Sequence, residues 1–323
     1  MIGLGLACSH AAGMFRPPEA WQQWMIDRVA PGVFERYPEA RRQRDSLEVC
    51  QDLYRRIHDG FDEMRKEVAA YEPDVIVFVG DDQGDLFNLS NNPSLAVYIG
   101  EEEMWGHQGY EWNVPMKDRS VVKFNNHVDV STDLAHGLIK RKFDVSTLHR
   151  FNPQGREGYG LPHMAARIAP ELDPSGQIPI VCVLLNEYYE PLPNGERCAE
   201  LGSAIADILN RREEKILLVA SGGLSHYPSD RDFNRGDIDT PLDTWVMERV
   251  EKNEVEELSK LFSFDSAAMR SGTGEIRAWI SVAAAMNRPG KIIDYMPVHA
   301  CFTGIAFAKW PALVAAGGTN DRR

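Results

Sequence analysis

Several histidines and carboxylates in this sequence stand at or a few residues beyond the ends of short apolar runs, where strands of a sheet would end. His10 follows the first run, Asp81-Asp82-Gln83 follow a second, and His226 follows a third. In open α/β sheets, ligands bind beyond the carboxyl ends of the strands, so these groups are expected to converge. Imidazole and carboxylate groups bind divalent metal ions and transfer protons near neutral pH. The pattern therefore predicts a metal or acid–base site at one edge of a sheet.

Each of these residues also has an ordinary structural interpretation. His10 can offer a ring nitrogen to a metal or can merely close a strand, and the sequence supports both interpretations equally. The two glycines before His226 allow a tight turn that presents the ring, which favours a functional role. Glu275 lies in the first turn of a predicted helix, where the helix dipole favours a carboxylate, so capping is its simpler interpretation. Taken alone, His136 reads as a solvated side chain, and His163 gives an equally weak signal.

The elements that must position these residues are short strands alternating with longer helices. The predicted strands are 2–7, 75–79, 95–99, 178–185, 216–220 and 292–296, and the predicted helices are 19–29, 46–71, 132–142, 195–211, 242–252 and 275–287. Buried apolar runs between segments of helical period are typical of layered α/β proteins. We predict an α/β fold in which a single layered domain, residues 1–323, has a mixed central sheet flanked by helices.

Composition and charge exclude several classes of function. The 323 residues carry a net charge of −13, with 43% hydrophobic and 26% charged residues, as in ordinary soluble globular proteins. Nucleic acid is not expected as a partner, because phosphate binding needs a basic patch. A membrane role is not expected either, since no apolar run approaches the roughly 18 residues that span a bilayer. The five scattered cysteines favour a reducing, cytoplasmic location.

Nine short motifs, in this order, resemble those of a known enzyme family. They are LGLACSH at 4–10, PDVIVFVGDDQ at 73–83, DLAHG at 133–137, GLPH at 160–163, LNEYYEPLP at 185–193, RCAELG at 197–202, SGGLSH at 221–226, GEIRAW at 274–279 and TGIAFAKW at 303–310. Together they resemble the class III extradiol ring-cleavage dioxygenases, the family of the protocatechuate 4,5-dioxygenase catalytic subunit and the methylgallate and gallate dioxygenases. The resemblance spans nearly the whole chain.

The resemblance implies a non-haem Fe(II) centre in which His10 and Glu275 are two of three protein ligands. Two histidines and one carboxylate on one side of iron leave open positions for a catecholate and O2. The resemblance also matches His226 to the family histidine that assists proton transfer, and His136 to a second active-site histidine. The residues assigned to substrate binding are His163 and Tyr188.

The second ligand histidine of the family is missing from this chain. Residues 80–87 read GDDQGDLF, with no histidine. Asp82 or Gln83 is the predicted replacement, and an oxygen ligand would give a harder site that still accepts Fe(II) or Mn(II), with Zn(II) as a further candidate. Alternatively, these residues form a capped turn at the end of a strand and the iron site is lost.

The sequence thus predicts a non-haem Fe(II) extradiol dioxygenase that inserts O2 into a protocatechuate-, gallate- or methylgallate-like catechol and opens the ring. Its expected partners are the small aromatic substrate, O2 and a second copy of the chain, since a homodimer is the default assembly. The alternative is a non-oxidative relative, either a metal-dependent hydrolase or an aromatic-acid-binding subunit with an altered metal site. The joint presence of His10, His136, His226 and Glu275 favours the dioxygenase.

Overall fold

The structure, a computed structural model, describes residues 1–21, 45–226, 238–264, 269 and 271–312. The strands of its main sheet are β1 (Ile2–Cys8), β2 (Val75–Gly80), β3 (Leu95–Tyr98), β6 (Ser146–Leu148), β7 (Ile180–Leu185), β8 (Ile216–Ser221), β9 (Lys291–Val298) and β10 (Thr303–Trp310). A separate antiparallel pair consists of β4 (Met104–Gly106) and β5 (Val122–Phe124). The eight-stranded sheet has the order β6-β3-β7-β2-β8-β1-β10-β9.

The four central strands β7, β2, β8 and β1 run parallel to one another. Every residue of β2, β7 and β8 is buried, as expected of parallel strands that are covered on both faces. Antiparallel strands β3, β10 and β9 extend this centre, which makes the sheet mixed. Because the central strands are parallel, their carboxyl ends meet at one edge, and the residues after positions 8, 80, 185 and 221 lie there together.

Helices cover both faces of the sheet, which confirms the predicted α/β fold. The helices are α1 (Leu47–Tyr71), α2 (Val128–Lys140), α3 (His163–Ala166), α4 (Ala169–Leu172), α5 (Gly195–Leu209), α6 (Thr240–Lys252), α7 (Val255–Leu258) and α8 (Ile276–Met286). The apolar sides of α2, α5, α6 and α8 pack on one face, and those of α1, α3 and α4 pack on the other. In the described part of the chain, every helix is too short or too polar to cross a bilayer.

The longest helix follows the sequence prediction closely. The Ser46 side chain accepts a hydrogen bond from the Val49 backbone N–H, and the helix ends at Glu72, which has a φ of 51° and precedes Pro73. The predicted helix over 132–142 begins earlier, at Val128. The predicted helix over 19–29 lies, beyond residue 21, outside the described residues.

Strand β10 is absent from the predicted strands. Its apolar run includes Lys309, a residue that normally avoids the core. The structure shows that the Lys309 ammonium group is paired with Glu63 and Glu67 of α1, at 2.8 and 2.6 Å. A lysine can therefore lie in this buried strand because the packing of α1 brings two carboxylates to its ammonium group.

Candidate functional site

His10 lies just after β1, with its side chain buried. Nδ1 is 3.0 Å from the Ser221 hydroxyl oxygen at the end of β8. Because this hydrogen bond occupies Nδ1, the other ring nitrogen is left to face two acidic groups. Nε2 lies 3.6 Å from Oδ1 of Asp81 and 3.5 Å from Oε2 of Glu275.

Asp81, the first residue after β2, is completely buried. Within the described part of the chain, neither of its carboxylate oxygens has a hydrogen-bond partner, and the same is true of Nε2 of His10. Burial, with a smaller contribution from the charge of Glu275, raises the pKa of Asp81 well above its usual value. A buried carboxylate of this kind is costly unless it is neutral, paired or bound to a metal. These atoms fit a divalent cation, because imidazole nitrogen and carboxylate oxygen are donors that such ions accept.

Glu275 directly precedes α8 but does not cap it, since its side chain makes no capping hydrogen bond. Instead, Oε2 accepts the backbone N–H of Gly223 at 2.6 Å, and Oε1 accepts the Tyr188 hydroxyl at 3.0 Å. Room for the carboxylate comes from Gly222, which has a φ of 133° and where an added Cβ would lie 2.9 Å from Oε2. Although burial alone would raise it, His226 and His10 hold the pKa of Glu275 well below its usual value. The carboxylate is therefore ionised and faces His10.

His226 and Tyr188 form one hydrogen-bonded group with Glu275. Nδ1 of His226 lies 2.9 Å from the Leu224 carbonyl oxygen, so this nitrogen carries a hydrogen. Nε2 lies 3.2 Å from the Tyr188 hydroxyl and 3.3 Å from Oε1 of Glu275. Burial lowers the pKa of His226, but the charge and hydrogen bond of Glu275 outweigh it, and the pKa is raised overall. Tyr188, predicted to bind substrate, thus contacts two other site residues directly.

His163, the first residue of α3, also belongs to this cluster. Nδ1 lies 2.6 Å from Oδ2 of Asp85, and the other oxygen of Asp85 is paired with the Arg156 guanidinium. Burial lowers the pKa of His163 to about 3, so the ring is neutral and donates its Nδ1–H to Asp85. The ring packs edge-on against His10, with 4.5 Å between centroids. Donor atoms of His10, Asp81 and His163 all lie within 4.8 Å of one another.

Asp82 and Gln83, the predicted replacement ligands, have other positions. The Asp82 carboxylate accepts the backbone N–H groups of Gly84, Leu86 and Phe87 at 3.1, 2.7 and 2.9 Å, so both of its oxygens are used within the turn. Gln83 is half-buried in the same turn, with a φ of 48°. The inward position belongs instead to Asp81, because successive residues leaving a strand point to opposite sides. Sequence reasoning named this residue in the trio but did not select it.

His136 is the candidate that the structure places elsewhere. It is exposed on α2, beside Arg211 and Glu214, which precede β8. That is the amino end of the parallel strands, opposite the edge that carries His10. The reason is helical geometry, since the neighbouring residues Leu134, Ala135 and Leu138 face the core and turn position 136 outward.

Asp85 was missed by sequence reasoning altogether. Its carboxylate fixes His163 and Arg156, and it also accepts the His163 backbone N–H at 3.1 Å. Its sequence signal was a third acidic residue in the GDDQGDLF segment, which by itself is indistinguishable from a polar turn.

Comparison of the sequence with known proteins shows a match to one family. Residues 48–307 match the family described as the catalytic LigB subunit of aromatic ring-opening dioxygenase. The 2,3-dihydroxyphenylpropionate/2,3-dihydroxicinnamic acid 1,2-dioxygenase of Klebsiella pneumoniae (strain 342) is 24% identical over 173 residues, which are 54% of this chain and 50% of that protein. The protein of the same name from Photorhabdus laumondii is 25% identical over 168 residues, 52% of this chain and 48% of that protein. This chain thus spans about half the length of these relatives.

Among solved structures, an uncharacterized protein from Escherichia coli K12 aligns with a TM-score of 0.46 and 15% identity, over 76% of this chain and 91% of that one. The family match is the more informative comparison, because it runs from α1 into β10 and includes Asp81, His163, His226 and Glu275. By this match, the chain belongs to the LigB family of class III extradiol ring-cleavage dioxygenases.

Proposed function

We propose that this protein is an Fe(II)-dependent extradiol dioxygenase that inserts O2 into a catechol-type aromatic acid and opens its ring. The observation that carries the proposal is the buried pair of His10 Nε2 and Glu275 Oε2, 3.5 Å apart, with His226 and Tyr188 hydrogen-bonded alongside. Groups suited to hold a metal and groups suited to transfer protons thus lie at the same edge of the sheet, which supports the proposal. Membership of the LigB family supports ring cleavage as the class of reaction.

His10 and Glu275 would hold the ion. When bound there, Fe(II) would supply adjacent positions for both catechol oxygens and O2 and a path for electrons from the ring to oxygen. Mn(II) offers similar chemistry, and Zn(II) would fit the donors without redox activity. The remaining task of the site is to orient the substrate and to move its protons.

His226 is the group proposed to exchange protons with the substrate. Its Nδ1–H is held by the Leu224 carbonyl, so Nε2 is the nitrogen that takes or gives a proton. Because Glu275 raises its pKa, His226 is able to hold a proton at Nε2 and release it to a substrate oxygen. His163 is neutral and its Nδ1–H is committed to Asp85, which leaves Nε2 to accept a hydrogen bond from a substrate hydroxyl.

The proposed substrate is a catechol that carries a carboxylate or methoxy group, such as protocatechuate, gallate or a methylgallate-like compound. The relatives named above act, by their names, on catechols with a carboxylate side chain. The Arg167 guanidinium contributes positive charge near the site, since its Nη1 donates to the His10 carbonyl oxygen at 2.9 Å. Both atoms of O2 would enter the product, and the ring itself would supply the electrons.

A non-oxidative metal hydrolase is the second candidate. The observation that favours it is the absence of a ligand histidine from residues 80–87. A hydrolase would bind metal but would consume no O2, so one experiment separates the two functions.

That experiment measures O2 uptake by anaerobically purified, Fe(II)-loaded protein with protocatechuate, gallate, 3-O-methylgallate and unsubstituted catechol. We expect uptake and a yellow ring-opened product with at least one of them. H226Q should lower kcat by about 100-fold or more while metal stays bound, because proton transfer by a positioned side chain contributes about that much. The matched variant H136A should retain full activity, because His136 lies at the opposite edge of the sheet. Metal-loaded protein that consumes no O2 with any catechol would contradict the proposal.

A further inference from the structure

We infer that Asp81 is the third protein ligand of the metal, so that the centre consists of one imidazole and two carboxylates: His10, Asp81 and Glu275. The aspartate would thus replace the second histidine that the family resemblance implies. This inference deepens the proposed function and rests on its metal. The class of ion it favours is a divalent ion that accepts oxygen-rich coordination, Fe(II) or Mn(II), over Zn(II).

The burial of Asp81 is the first support for this role. The side chain is 0% exposed, and both carboxylate oxygens lack hydrogen-bond partners within the described residues. The adjacent Asp82 shows the contrast, since three backbone N–H groups satisfy its carboxylate. A buried carboxylate without partners is unfavourable, and a bound cation removes that penalty.

The spacing of donor atoms is the second support. Nε2 of His10, which is buried and makes no hydrogen bond within the described residues, lies 3.6 Å from Oδ1 of Asp81 and 3.5 Å from Oε2 of Glu275. Ligand atoms bound at about 2.1 Å to one ion are about 3.0 to 3.4 Å apart at octahedral or tetrahedral angles. Both separations from Nε2 exceed these values by only a few tenths of an ångström, so small side-chain movements bring each carboxylate and His10 to the distances of ligands on one ion.

The packing of the backbone next to Asp81 determines where this residue leaves the sheet. At Gly80, an added Cβ would lie 2.6 Å from the Ser221 carbonyl oxygen, so β2 and β8 approach closely where Asp81 leaves the sheet. The Ser221 hydroxyl, in turn, holds Nδ1 of His10 at 3.0 Å. The carboxyl ends of β1, β2 and β8 therefore lie close together. The segments after β1 and β2 place His10 and Asp81 there, and Ser221 at the end of β8 holds the His10 ring.

The chemistry of the donors determines the preferred ion. Imidazole suits Zn(II) as well as Fe(II), whereas carboxylate oxygen suits harder ions such as Mn(II). Two carboxylates also balance the charge of a divalent ion. Replacing the implied histidine by aspartate therefore shifts the preference of the centre away from Zn(II) and towards Mn(II) or Fe(II).

Metal binding tests this inference without a turnover assay. Metal-free wild-type protein, D81N, D81H and Q83A are titrated anaerobically with Mn(II), with free Mn(II) followed by electron paramagnetic resonance, and then with Zn(II). We expect one Mn(II) per wild-type chain and similar affinity in Q83A. D81N should bind Mn(II) about 100-fold more weakly or worse, since loss of a ligand should exceed the 10- to 100-fold effect of losing an outer partner. D81H should shift the ratio of affinities towards Zn(II).

A folding control keeps the test decisive. D81N is nearly isosteric and places no charge in the buried site, so its metal-free thermal midpoint should equal or exceed that of the wild type, and only the rise on adding Mn(II) should disappear. Wild-type protein without Mn(II) binding, D81N that binds like the wild type, or an equal loss in Q83A would overturn the inference. O2 uptake decides the proposed function separately. Loss of Mn(II) in D81N supports the ligand assignment even if no catechol is cleaved, and ring cleavage stands even if Asp81 proves not to be a ligand.

Discussion

The hydroxyl of Tyr188 lies 3.0 Å from Oε1 of Glu275 and 3.2 Å from Nε2 of His226, so a single group orients both the carboxylate that we propose as a metal ligand and the ring that we propose for proton transfer. Y188F removes this contact and leaves the aromatic ring. A hydrogen bond to a charged group is worth about 1.5 to 3 kcal/mol, so we expect kcat to fall by about 10- to 100-fold. The measurement is steady-state O2 uptake together with metal content, which should not change. A kcat equal to that of the wild type would show that the hydroxyl plays no part.

The position of the His226 ring depends on a second residue, Gly272. It lies next to the His226 ring, and an added Cβ would overlap the ring atoms Cδ2 and Nε2. G272A should therefore displace the imidazole and lower kcat by about 100-fold, as loss of the proton-transferring group would. Circular dichroism should show an intact fold. If G272A keeps more than half of the wild-type kcat, Nε2 of His226 does not act where we place it.

At the scale of elements, α6 and β9 hold the segment that carries His226. Asp243 of α6 accepts the Ser225 backbone N–H at 2.8 Å, the Ser225 hydroxyl at 3.0 Å and the Tyr295 hydroxyl of β9 at 2.7 Å. Gly304 of β10 leaves room for this carboxylate, because an added Cβ would overlap it. The segment after β8 is therefore anchored from two elements outside the site.

Removing the anchor should affect both stability and catalysis. D243A leaves the two buried donors of Ser225 and the half-buried Tyr295 hydroxyl without this acceptor, and each unsatisfied buried group costs about 1 to 3 kcal/mol, so we expect a loss of about 3 kcal/mol in the free energy of unfolding. Y295F removes only one donor and should cost about 2 kcal/mol or less. Urea denaturation measures both, and kcat should fall in the same order while KM changes little. A larger effect on KM than on kcat would indicate a role in substrate binding instead.

At the scale of the whole molecule, acid should weaken the fold through the buried pair of His163 and Asp85. Burial lowers the pKa of His163 from 6.5 to about 3. The unfolded chain then takes up a proton before the folded one does, and stability falls as the pH drops from 6.5 towards 3. Although burial alone would raise it, His163 and Arg156 lower the pKa of Asp85 from 3.8 to about 2, so its stabilising contribution, present above about pH 4, is lost towards pH 2.

The free energy of unfolding of the metal-free protein should consequently fall by on the order of 5 kcal/mol between pH 7 and pH 3. Denaturation curves at several pH values measure this loss. D85N is the matched control, because it lacks the carboxylate and should show a smaller loss below pH 4. A D85N curve parallel to that of the wild type would mean that Asp85 contributes nothing to acid sensitivity.

Some of the predictions about the whole molecule are confirmed, and others are not tested by the structure or by the comparisons. The α/β fold with a mixed sheet and the dioxygenase family are confirmed. The single domain over residues 1–323, the cytoplasmic location and the homodimer stay predictions.

The sequence by itself determined which segments form the central strands and the long helices. Apolar runs such as 75–79 and the charged, periodic segment 46–71 correspond to β2 and α1 within one residue at each end. This was predictable because strand and helix periods, capping residues and residues before proline act locally. The sequence also indicated that His10 and His226 lie at one edge, since both follow apolar strands and ligands bind beyond the carboxyl ends of strands in such sheets.

Only the tertiary structure decided which neighbouring polar residue faces the site. Asp81, Asp82 and Gln83 are consecutive. The pairing of β2 with β8 directs the Asp81 side chain into the site, whereas backbone N–H groups of the following turn donate hydrogen bonds to the Asp82 carboxylate. Packing of α2 against the sheet turned His136 outward. The approach of His163 to His10 joins residues far apart in the chain. The orientation of each of these side chains depends on how elements distant in the chain pack against one another. The type of a residue does not determine which way its side chain points in the folded protein.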